Sequence, residues 1–208
     1  FTMNSNIPKI IHQIWIGNNS MPDHIHEYCE KTKALYSDYE YMFWNNHNIP
    51  EMPERCMAQM QKYAKRNKPA FQADILRYYV ANKFGGIYLD VDFVCNKRFD
   101  SIIEKPFFCV SPNLRGFHVC NGVFACTPNN NILTKLLDEL KSEPYHGPLL
   151  FTKYISDFLG VEYRTHIYNY LKENPSDFVQ CGDAKDFFRR DGYCFHNALR
   201  SWIKKRKK

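Results

Sequence analysis

An apolar segment that carries two carboxylates, residues 85–94, constrains the fold of this chain more than any other stretch. It reads Gly-Gly-Ile-Tyr-Leu-Asp-Val-Asp-Phe-Val. The two glycines are typical of a helix end, and the apolar content that follows predicts a strand in the centre of a sheet. Side chains alternate between the two faces of a strand. Asp90 and Asp92 are therefore expected on one face with Tyr88 and Val94, the two carboxylates roughly 7 Å apart.

Two like charges on a buried strand are costly unless a positive charge joins them. Carboxylate oxygens suit Mg²⁺ or Mn²⁺, and both ions also bind phosphates. The spacing therefore predicts a divalent metal at Asp90 and Asp92. Spacing alone leaves a second interpretation open, in which the strand ends at Asp90 and both carboxylates face water in a turn.

The chain of 208 residues, 44% of them hydrophobic, fits one domain with a sizeable core. Its elements alternate in the manner of an α/β domain. Strands are predicted over residues 7–16, 39–44, 87–94, 107–110 and 119–126. Helices are predicted over residues 25–36, 52–63, 70–84, 132–140 and 149–159, the first capped by Asp23. Beyond residue 160 the pattern indicates only short strands.

The predicted helix over residues 70–84 carries an acid and a base, Asp74 and Arg77, three residues apart, so their side chains can touch. Both lie on or beside a stripe of alanines that allows another element to approach closely. A polar cluster near the end of the following strand is therefore expected. The alternative is a local surface salt bridge, which contributes under about 1 kcal/mol.

The distribution of charge excludes some classes of partner. The net charge is +6, and six cationic residues lie within residues 200–208, so the rest of the chain is neutral. This argues against a basic nucleic-acid face. Apolar runs stay short of the ~18 residues of a membrane span. Residues 3–203 are expected to form a single domain, with residues 204–208 as a basic tail or the start of a linker.

The eight cysteines have neither CxxC nor zinc-finger spacing. The first nine residues lack the apolar region of a signal peptide. Reduced thiols in a cytoplasmic protein are therefore expected, in the host cytoplasm if the source is viral.

Residues 73–78, Ala-Asp-Ile-Leu-Arg-Tyr, followed by residues 85–92, resemble the Asp-x-Asp sugar-transferase family. Its members include yeast-type initiating mannosyltransferases, capsular polysaccharide transferases and the glucosylating domains of clostridial toxins. Residues 7–17 are similar to the first strand of that family, and residues 195–202 to its closing His…Ser-Trp element. The matching pieces stand in the family's order. The chain also resembles the amino-terminal domain of a glycosylation enzyme of large algal viruses.

The resemblance implies a nucleotide-diphospho-sugar transferase (GT-A) fold of α/β class, a mainly parallel sheet flanked by helices with the donor at the strands' carboxyl ends. It implies metal-dependent transfer of a hexose from a nucleotide-diphosphate sugar, expected to be a UDP-sugar, to a glycan or glycoprotein acceptor. Retention of the anomeric configuration is expected. Mn²⁺ is the expected cofactor, with Mg²⁺ as its alternative.

The resemblance also assigns roles to residues. Asp90 and Asp92 are expected to act in catalysis through the metal, and His196 to complete the metal shell. The donor-binding residues implied are Ile14 (backbone contacts to the base), Trp15 (stacking on the base), Asp74 and Arg77 (donor hydroxyls), Asn121 (the sugar or the leaving group) and Trp202 (closure over the diphosphate). Residues 146–148 are implied to start a helix beside the acceptor. Purely structural roles for His196 and Trp202, and a simple turn at Asn121, remain alternatives.

Two other classes of function use some of the same residues. A metal-dependent phosphohydrolase acting on a nucleotide sugar can be built on a similar Asp pair, although such enzymes often need more carboxylates. A non-catalytic module that binds sugar nucleotides or glycans is the second alternative.

Overall fold

The computed structural model describes residues 6–111, 117–140 and 147–196. Its strands are β1 (Ile10–Ile14), β2 (Glu40–Trp44), β3 (Gly86–Leu89), β4 (Phe93–Cys95), β5 (Phe107–Ser111), β6 (Cys120–Cys126), β7 (Val179–Asp183) and β8 (Cys194–His196). Its helices are α1 (Asp23–Leu35), α2 (Glu54–Lys65), α3 (Pro69–Phe84), α4 (Asn131–Asp138), α5 (Pro148–Leu159), α6 (Ile167–Glu173) and α7 (Ala184–Phe187). Within the described residues, no helix is long and apolar enough to cross a bilayer.

Six strands form one sheet in the order β2-β1-β3-β6-β5-β7. β1 pairs in parallel with β2 and β3, and β5 pairs in parallel with β7. β6 is antiparallel to both of its neighbours, β3 and β5. The sheet is therefore mainly parallel with one reversed strand, and the predicted α/β class is confirmed. β4 and β8 form a separate antiparallel ribbon.

The reversed direction of β6 gathers distant residues at one edge of the sheet. Ile11 of β1 lies beside Ile87 of β3, and this register, continued by three residues, places Ile14 level with Asp90. Leu89 faces Val123, and the Asp90 N–H donates to the Gly122 carbonyl at 2.8 Å. The carboxyl ends of β1 and β3 and the amino end of β6 thus meet at a single edge.

Alternation along the strands divides the core between the two faces of the sheet. Ile87 and Leu89 join the apolar cluster on one face, while Tyr88 joins the larger cluster beneath the helices on the other. β6 behaves in the same way, with Val123 on the first face and Phe124 on the second. The alternation predicted from the sequence is thus confirmed for residues 87–89.

The chain reverses sharply between α3 and β3. Gly85 has φ 68° and Gly86 has φ 107°, backbone conformations that favour glycine. A Cβ on Gly86 would also lie 2.6 Å from the Ile10 carbonyl oxygen. Because α3 returns directly into β3, the amino-terminal half of α3 lies at the sheet edge where β3 ends.

A buried histidine stabilises the turn between α3 and β3. His12 Nε2 lies 2.8 Å from the Gly85 carbonyl oxygen, and Trp44 Nε1 donates to His12 Nδ1 at 3.2 Å. These partners require a neutral imidazole with its proton on Nε2, since Nδ1 accepts. Burial lowers the pKa of His12 to about 4, which keeps the ring in this neutral form at physiological pH.

The strand predicted over residues 87–94 is wrong in its length. β3 ends at Leu89, and the chain turns through residues 90–93, with the Phe93 N–H donating to the Asp90 carbonyl oxygen at 3.2 Å. β4 then begins at Phe93 and pairs with β8 instead of continuing in the main sheet. Strand alternation therefore does not relate the side chains of Asp90 and Asp92. The strand does end before Asp90, but both carboxylates are half-buried instead of facing water.

The other predicted elements match the observed ones to within a few residues. The predicted cap of the first helix is wrong, because Asp23 is the first residue of α1 and the residue at the cap position is Pro22, which provides no side-chain bond. Asp23 still places a negative charge in the first helical turn, where the helix dipole favours it. Beyond residue 160 the chain forms α6, β7, α7 and β8.

Candidate active site

Arg77 is the centre of a buried polar cluster at the edge where β1, β3 and β6 meet. The residue is 6% exposed. Its Nη2 lies 3.3 Å from Asp74 Oδ1, and its Nη1 lies 3.2 Å from Asp90 Oδ1. Nη1 also donates to the Asn121 carbonyl oxygen at 2.8 Å, and Nε donates to the Ala73 carbonyl oxygen at 3.2 Å. The Asp74–Arg77 pair is therefore part of a buried network and not a surface salt bridge.

Asp90 is oriented by partners on several sides. Tyr88 Oη donates to Asp90 Oδ1 at 2.6 Å, and the Arg77 guanidinium stacks over the Tyr88 ring at 4.8 Å. Gly122 leaves room for the Asp90 carboxylate, because a Cβ at this position would lie 2.6 Å from Asp90 Oδ2. Sequence reasoning missed the roles of Tyr88 and Gly122. The spacing of Tyr88 and Asp90, two residues apart in the segment predicted as a strand, was the signal that could have identified Tyr88.

Burial and the hydrogen-bonding partners of Asp74 shift its pKa in opposite directions. Burial raises its pKa to about 6, while the positive charge of Arg77 and a hydrogen bond from Asn121 lower it. That bond runs from Asn121 Nδ2 to Asp74 Oδ1 at 2.9 Å. At neutral pH the carboxylate is thus mainly ionised and able to accept hydrogen bonds.

Asn121 and Tyr78 connect this cluster to the start of α5. Asn121 Nδ2 donates to Tyr78 Oη at 2.8 Å, and Tyr78 Oη donates to the Gly147 carbonyl oxygen at 3.3 Å. A Cβ on Gly147 would lie 3.4 Å from Asp74 Oδ2. A helix does start at Pro148, and Gly147 before it borders the cluster. The role of this segment beside the acceptor stays a prediction. Residue 146 lies outside the described residues.

Trp15 and Ile14 occupy the end of β1 at the same edge. Ile14 is buried, so its side chain belongs to the core and only its backbone can reach a ligand. Trp15 is half-buried and packs against the small apolar cluster of Ile25, Cys29 and Val91. This cluster includes Val91, the residue between the two aspartates, so it connects the region of Trp15 to that of the Asp-x-Asp turn. Trp15 Nε1 donates to the Asn19 carbonyl oxygen at 2.9 Å, which fixes the ring.

A further residue that sequence reasoning missed holds the turn after Trp15. The Asn46 carboxamide accepts from the Gly17 N–H at 3.0 Å and donates to the Gly17 carbonyl oxygen at 2.8 Å. A Cβ on Gly17 would lie 2.8 Å from Pro69 Cβ at the start of α3. The turn is thus fixed between β2 and α3.

Asp92, His196 and Trp202 are the predicted site residues that remain. Asp92 is half-buried in the turn between β3 and β4. The backbone of His196, at the end of β8, pairs with Phe93, the residue after Asp92. Trp202 lies outside the described residues. The roles of these three residues, and those of the donor-binding residues above, stay predictions.

The charge of the cluster bears on whether a metal fits. The carboxylates of Asp74, Asp90 and Asp92 and the guanidinium of Arg77 carry a formal net charge of −2. Within residues 6–111, 117–140 and 147–196, no group of three or more His, Cys, Asp or Glu side chains is arranged to hold a metal ion. Mg²⁺ and similar ions are commonly held by one or two carboxylates together with water and substrate phosphates. Asp90 and Asp92 fit that pattern.

Solved structures with the same architecture are glycosyltransferases. The PaToxG glycosyltransferase superposes with a TM-score of 0.61 at 22% identity, over 74% of this chain and 70% of that one. The UDP-bound glycosyltransferase domain of the YGT toxin gives 0.57 at 12% identity, over 97% and 82%. A glycosyltransferase involved in glycosylation of the major capsid of PBCV-1 gives 0.50 at 13% identity, over 92% and 95%. The fold is thus the GT-A glycosyltransferase fold.

Sequence comparison defines the class further. Residues 22–108, which contain Asp74, Arg77 and both residues of the Asp-x-Asp pair, match the family described as the glycosyltransferase sugar-binding region containing the DXD motif. An uncharacterized glycosyltransferase, L373, of Acanthamoeba polyphaga mimivirus is 28% identical over 86% of this chain and 72% of its own length. Residues 22–108 thus carry the DXD glycosyltransferase signature, and the relatives that the chain matches are named glycosyltransferases.

Yeast enzymes are also among the relatives. Mannosyl phosphorylinositol ceramide synthase SUR1 of Saccharomyces cerevisiae is 30% identical over 65% of this chain. Inositol phosphoceramide mannosyltransferase 2 of Schizosaccharomyces pombe is 28% identical over 94% of it. The chain spans 35% and 58% of the lengths of these two proteins.

Proposed function

We propose that this protein is a metal-dependent hexosyltransferase that uses a nucleotide-diphosphate sugar, with a UDP-sugar as the first candidate donor. The observation that carries the proposal is the buried network of Asp74, Arg77, Asp90 and Asn121 beside the Asp-x-Asp turn. Donors bind at the carboxyl ends of strands in open α/β sheets, and this network lies at that edge.

The electrostatics of the cluster support the metal. A diphosphate is an anion, and three carboxylates with one guanidinium would repel it. A divalent cation held by Asp90 and Asp92 would remove that conflict. When bound, Mn²⁺ or Mg²⁺ would stabilise negative charge on the leaving nucleotide diphosphate as a Lewis acid.

The protein's own side chains would bind and orient the donor. The fixed Trp15 ring would provide a flat surface for the base, and the Ile14 backbone lies at the end of β1, which pairs in parallel with β3. Asp74, ionised at neutral pH, accepts hydrogen bonds from sugar hydroxyls. Arg77 uses Nε, Nη1 and Nη2 on protein partners, so its main role in the proposal is to hold Asp74 and Asp90 in place.

The acceptor and the outcome of transfer are also part of the proposal. We assign the protein a glycan or glycoprotein acceptor and retention of the anomeric configuration, in line with the family resemblance. Because the yeast relatives are named for mannosyl transfer to inositol phosphoceramide, GDP-mannose and an inositol-containing glycolipid belong in the test panels. NMR of the product decides the anomeric configuration.

We further propose a cytoplasmic location, in a host cell if the source is viral. The eight cysteines are free thiols in the structure, which suits a reducing compartment. Mass spectrometry of the protein denatured and alkylated without a reductant should find all eight cysteines alkylated. Cysteines that become alkylated only after reduction would contradict the location.

The donor and the metal are tested together by titration calorimetry. Nucleotide sugars are titrated into the wild type with and without Mn²⁺, and into Asp92→Asn. Asp177→Asn is a matched control because its side chain is fully exposed. We expect one nucleotide sugar to bind in Mn²⁺, binding to be lost in Asp92→Asn, and the control to behave as the wild type.

Transfer assays separate the alternatives. Incorporation of labelled sugar into a glycan, protein or glycolipid supports the transferase, whereas release of nucleoside diphosphate alone with every acceptor favours the phosphohydrolase. Donor binding without any turnover favours a binding module. Full transfer activity of Asp92→Asn in EDTA would exclude the metal-dependent mechanism.

A further inference from the structure

The Asn121 carboxamide is held by two acceptors. Its Nδ2 lies 2.9 Å from Asp74 Oδ1 and 2.8 Å from Tyr78 Oη. An ionised carboxylate can only accept a hydrogen bond, so the atom that faces Asp74 must be the NH₂ group. This chemistry fixes which end of the amide is nitrogen, an assignment that otherwise depends on the hydrogen-bond network.

Tyr78 determines the direction of the second bond. Its side chain is fully buried, and its ring is stacked on Phe151 with centroids 5.5 Å apart and an interplanar angle of 12°. Its hydroxyl proton points to the Gly147 carbonyl oxygen at 3.3 Å, which leaves an oxygen lone pair for Asn121. The hydrogen bonds thus run in one direction, from Asn121 through Tyr78 to Gly147.

Both protons of the Asn121 NH₂ group are used in these contacts. The group left for a ligand is the carbonyl oxygen Oδ1, which can accept a proton but has none to donate. A sugar hydroxyl can donate to such an oxygen, whereas a diphosphate oxygen cannot. Asn121 therefore suits the sugar and not the leaving group, which were the two roles that the sequence left open.

We propose that Tyr78 is a positioning residue that, through its hydroxyl, holds Asn121 with Oδ1 available to a hydroxyl of the donor sugar. This inference rests on the proposed function and extends it. According to this inference, loss of the Tyr78 hydroxyl weakens binding of the sugar part of the donor, because Tyr78 acts through Asn121. Binding of the base and the diphosphate does not depend on it. The ring of Tyr78 packs in the core, and only its hydroxyl contributes to donor binding.

Tyr78→Phe is the direct test, because it keeps the stacked ring and removes the hydroxyl. Affinity for UDP and for the UDP-sugar found in the donor panel is measured in Mn²⁺, together with kcat and KM. We expect UDP affinity to stay within twofold of the wild type. We expect UDP-sugar affinity to fall about fivefold to tenfold, the size of one hydrogen bond.

Deoxy donors add a readout that a purely structural role would not change. A donor that lacks the hydroxyl bonded to Asn121 Oδ1 should bind the wild type more weakly than the complete donor does. The same deoxy donor should show a smaller loss of affinity with Tyr78→Phe, because the two changes remove the same interaction. The other deoxy positions should affect both proteins equally. Tyr79→Phe is the matched control, since the Tyr79 hydroxyl donates to the Glu51 carbonyl oxygen outside the cluster.

The result that would overturn the inference is an equal loss of UDP and UDP-sugar affinity in Tyr78→Phe, or no loss of either. Side-chain amide NMR gives an independent reading without any donor. The Asn121 NH₂ protons should exchange slowly with solvent in the wild type and faster in Tyr78→Phe. Rapid exchange in the wild type would contradict the inference even if the donor binds. Absence of nucleotide-sugar binding by the wild type, with slow exchange, would instead count against the proposed function alone.

Discussion

Arg77 and Asp90 show how single side chains in this site depend on one another. Arg77 is buried between Asp74 and Asp90, and Asp90 also accepts from Tyr88 at 2.6 Å. Removing Arg77 would leave buried carboxylates without their cation, which destabilises a protein far more than loss of an exposed ion pair. A substitution of Arg77 is therefore expected to lower both stability and activity, so its effect on activity alone cannot be measured. Substitutions of neighbouring residues allow the two effects to be measured separately.

His12 leads to a prediction about pH. Its pKa is lowered by burial to about 4, below the ~6.5 of an unfolded chain. As the pH falls below ~6.5 the unfolded state binds the proton first, so the free energy of unfolding decreases until the folded state is protonated near pH 4. Between ~pH 7 and pH 4 this difference in protonation lowers the free energy of unfolding by about 3 kcal/mol in total. Above ~pH 7 it has no effect on stability.

Urea unfolding of the wild type and His12→Gln at pH 7, 6 and 5 checks this. The variant should be less stable at pH 7, because the bonds to Gly85 and Trp44 are weakened. Its stability should then decline less steeply with falling pH than that of the wild type. Parallel profiles for the two proteins would contradict the assignment.

At the scale of elements, the end of β3 determines the geometry of the site. The alternating pattern of residues 87–94 continues past Leu89, yet the strand stops there and the chain turns into β4. The last ladder bond joins Asp90 to Gly122 near the start of β6. Where that ladder ends depends on a strand more than 30 residues further along the chain, so local sequence could not predict it.

Some residues of the site could be predicted from the sequence, and others could not. Asp74 and Asp90 could be identified from a motif, and the structure brings them together with Asn121. The contributions of Tyr78 and Gly122 depend on which element packs against which. In one sequence a buried tyrosine and a glycine in a strand have many explanations that involve no ligand.

Gly122 gives a prediction at this scale. In Gly122→Ala, the new Cβ would lie 2.6 Å from Asp90 Oδ2 and 3.0 Å from Phe93 Cε2, so the carboxylate must move. We expect metal-dependent donor affinity to fall at least about tenfold, a cost of ~1.4 kcal/mol or more. Calorimetry in Mn²⁺ measures it.

Gly160→Ala is the control for general destabilisation. Gly160 has φ 67°, so alanine is strained there by roughly 1–2 kcal/mol, but its Cβ would meet nothing within 4 Å. This variant should lose stability and keep donor affinity. Unchanged affinity in Gly122→Ala would show that Asp90 does not require its present position.

At the scale of the whole molecule, binding and stability are linked. A ligand that binds only the folded state stabilises it by about 2.7 kcal/mol at 100 times its Kd. For a chain of this length that corresponds to a rise of roughly 5–10 °C in Tm. We expect UDP with Mn²⁺ to produce such a rise and UDP with EDTA to produce little, because the carboxylates would repel the diphosphate.

A thermal-shift titration of the wild type and Asp92→Asn measures this rise. Mn²⁺ alone should give a small increase and UDP alone almost none, with the full effect only when both are present. An equal rise with UDP in EDTA would mean that the diphosphate is bound without a cation.

The reversed strand β6 has a consequence for the synthesis of the protein. β6 lies between β3 and β5, so within the described residues β5 and β7 are joined to the first three strands of the sheet only through it. A chain emerging from a ribosome can form β5 before β6 but cannot yet dock it. Because Asn121 and Gly122 also enter with β6, a nascent chain gains these two residues in the step that joins β5 to the first three strands, before β7 is made. On the proposed function, a chain that ends before β6 would therefore lack part of its donor site.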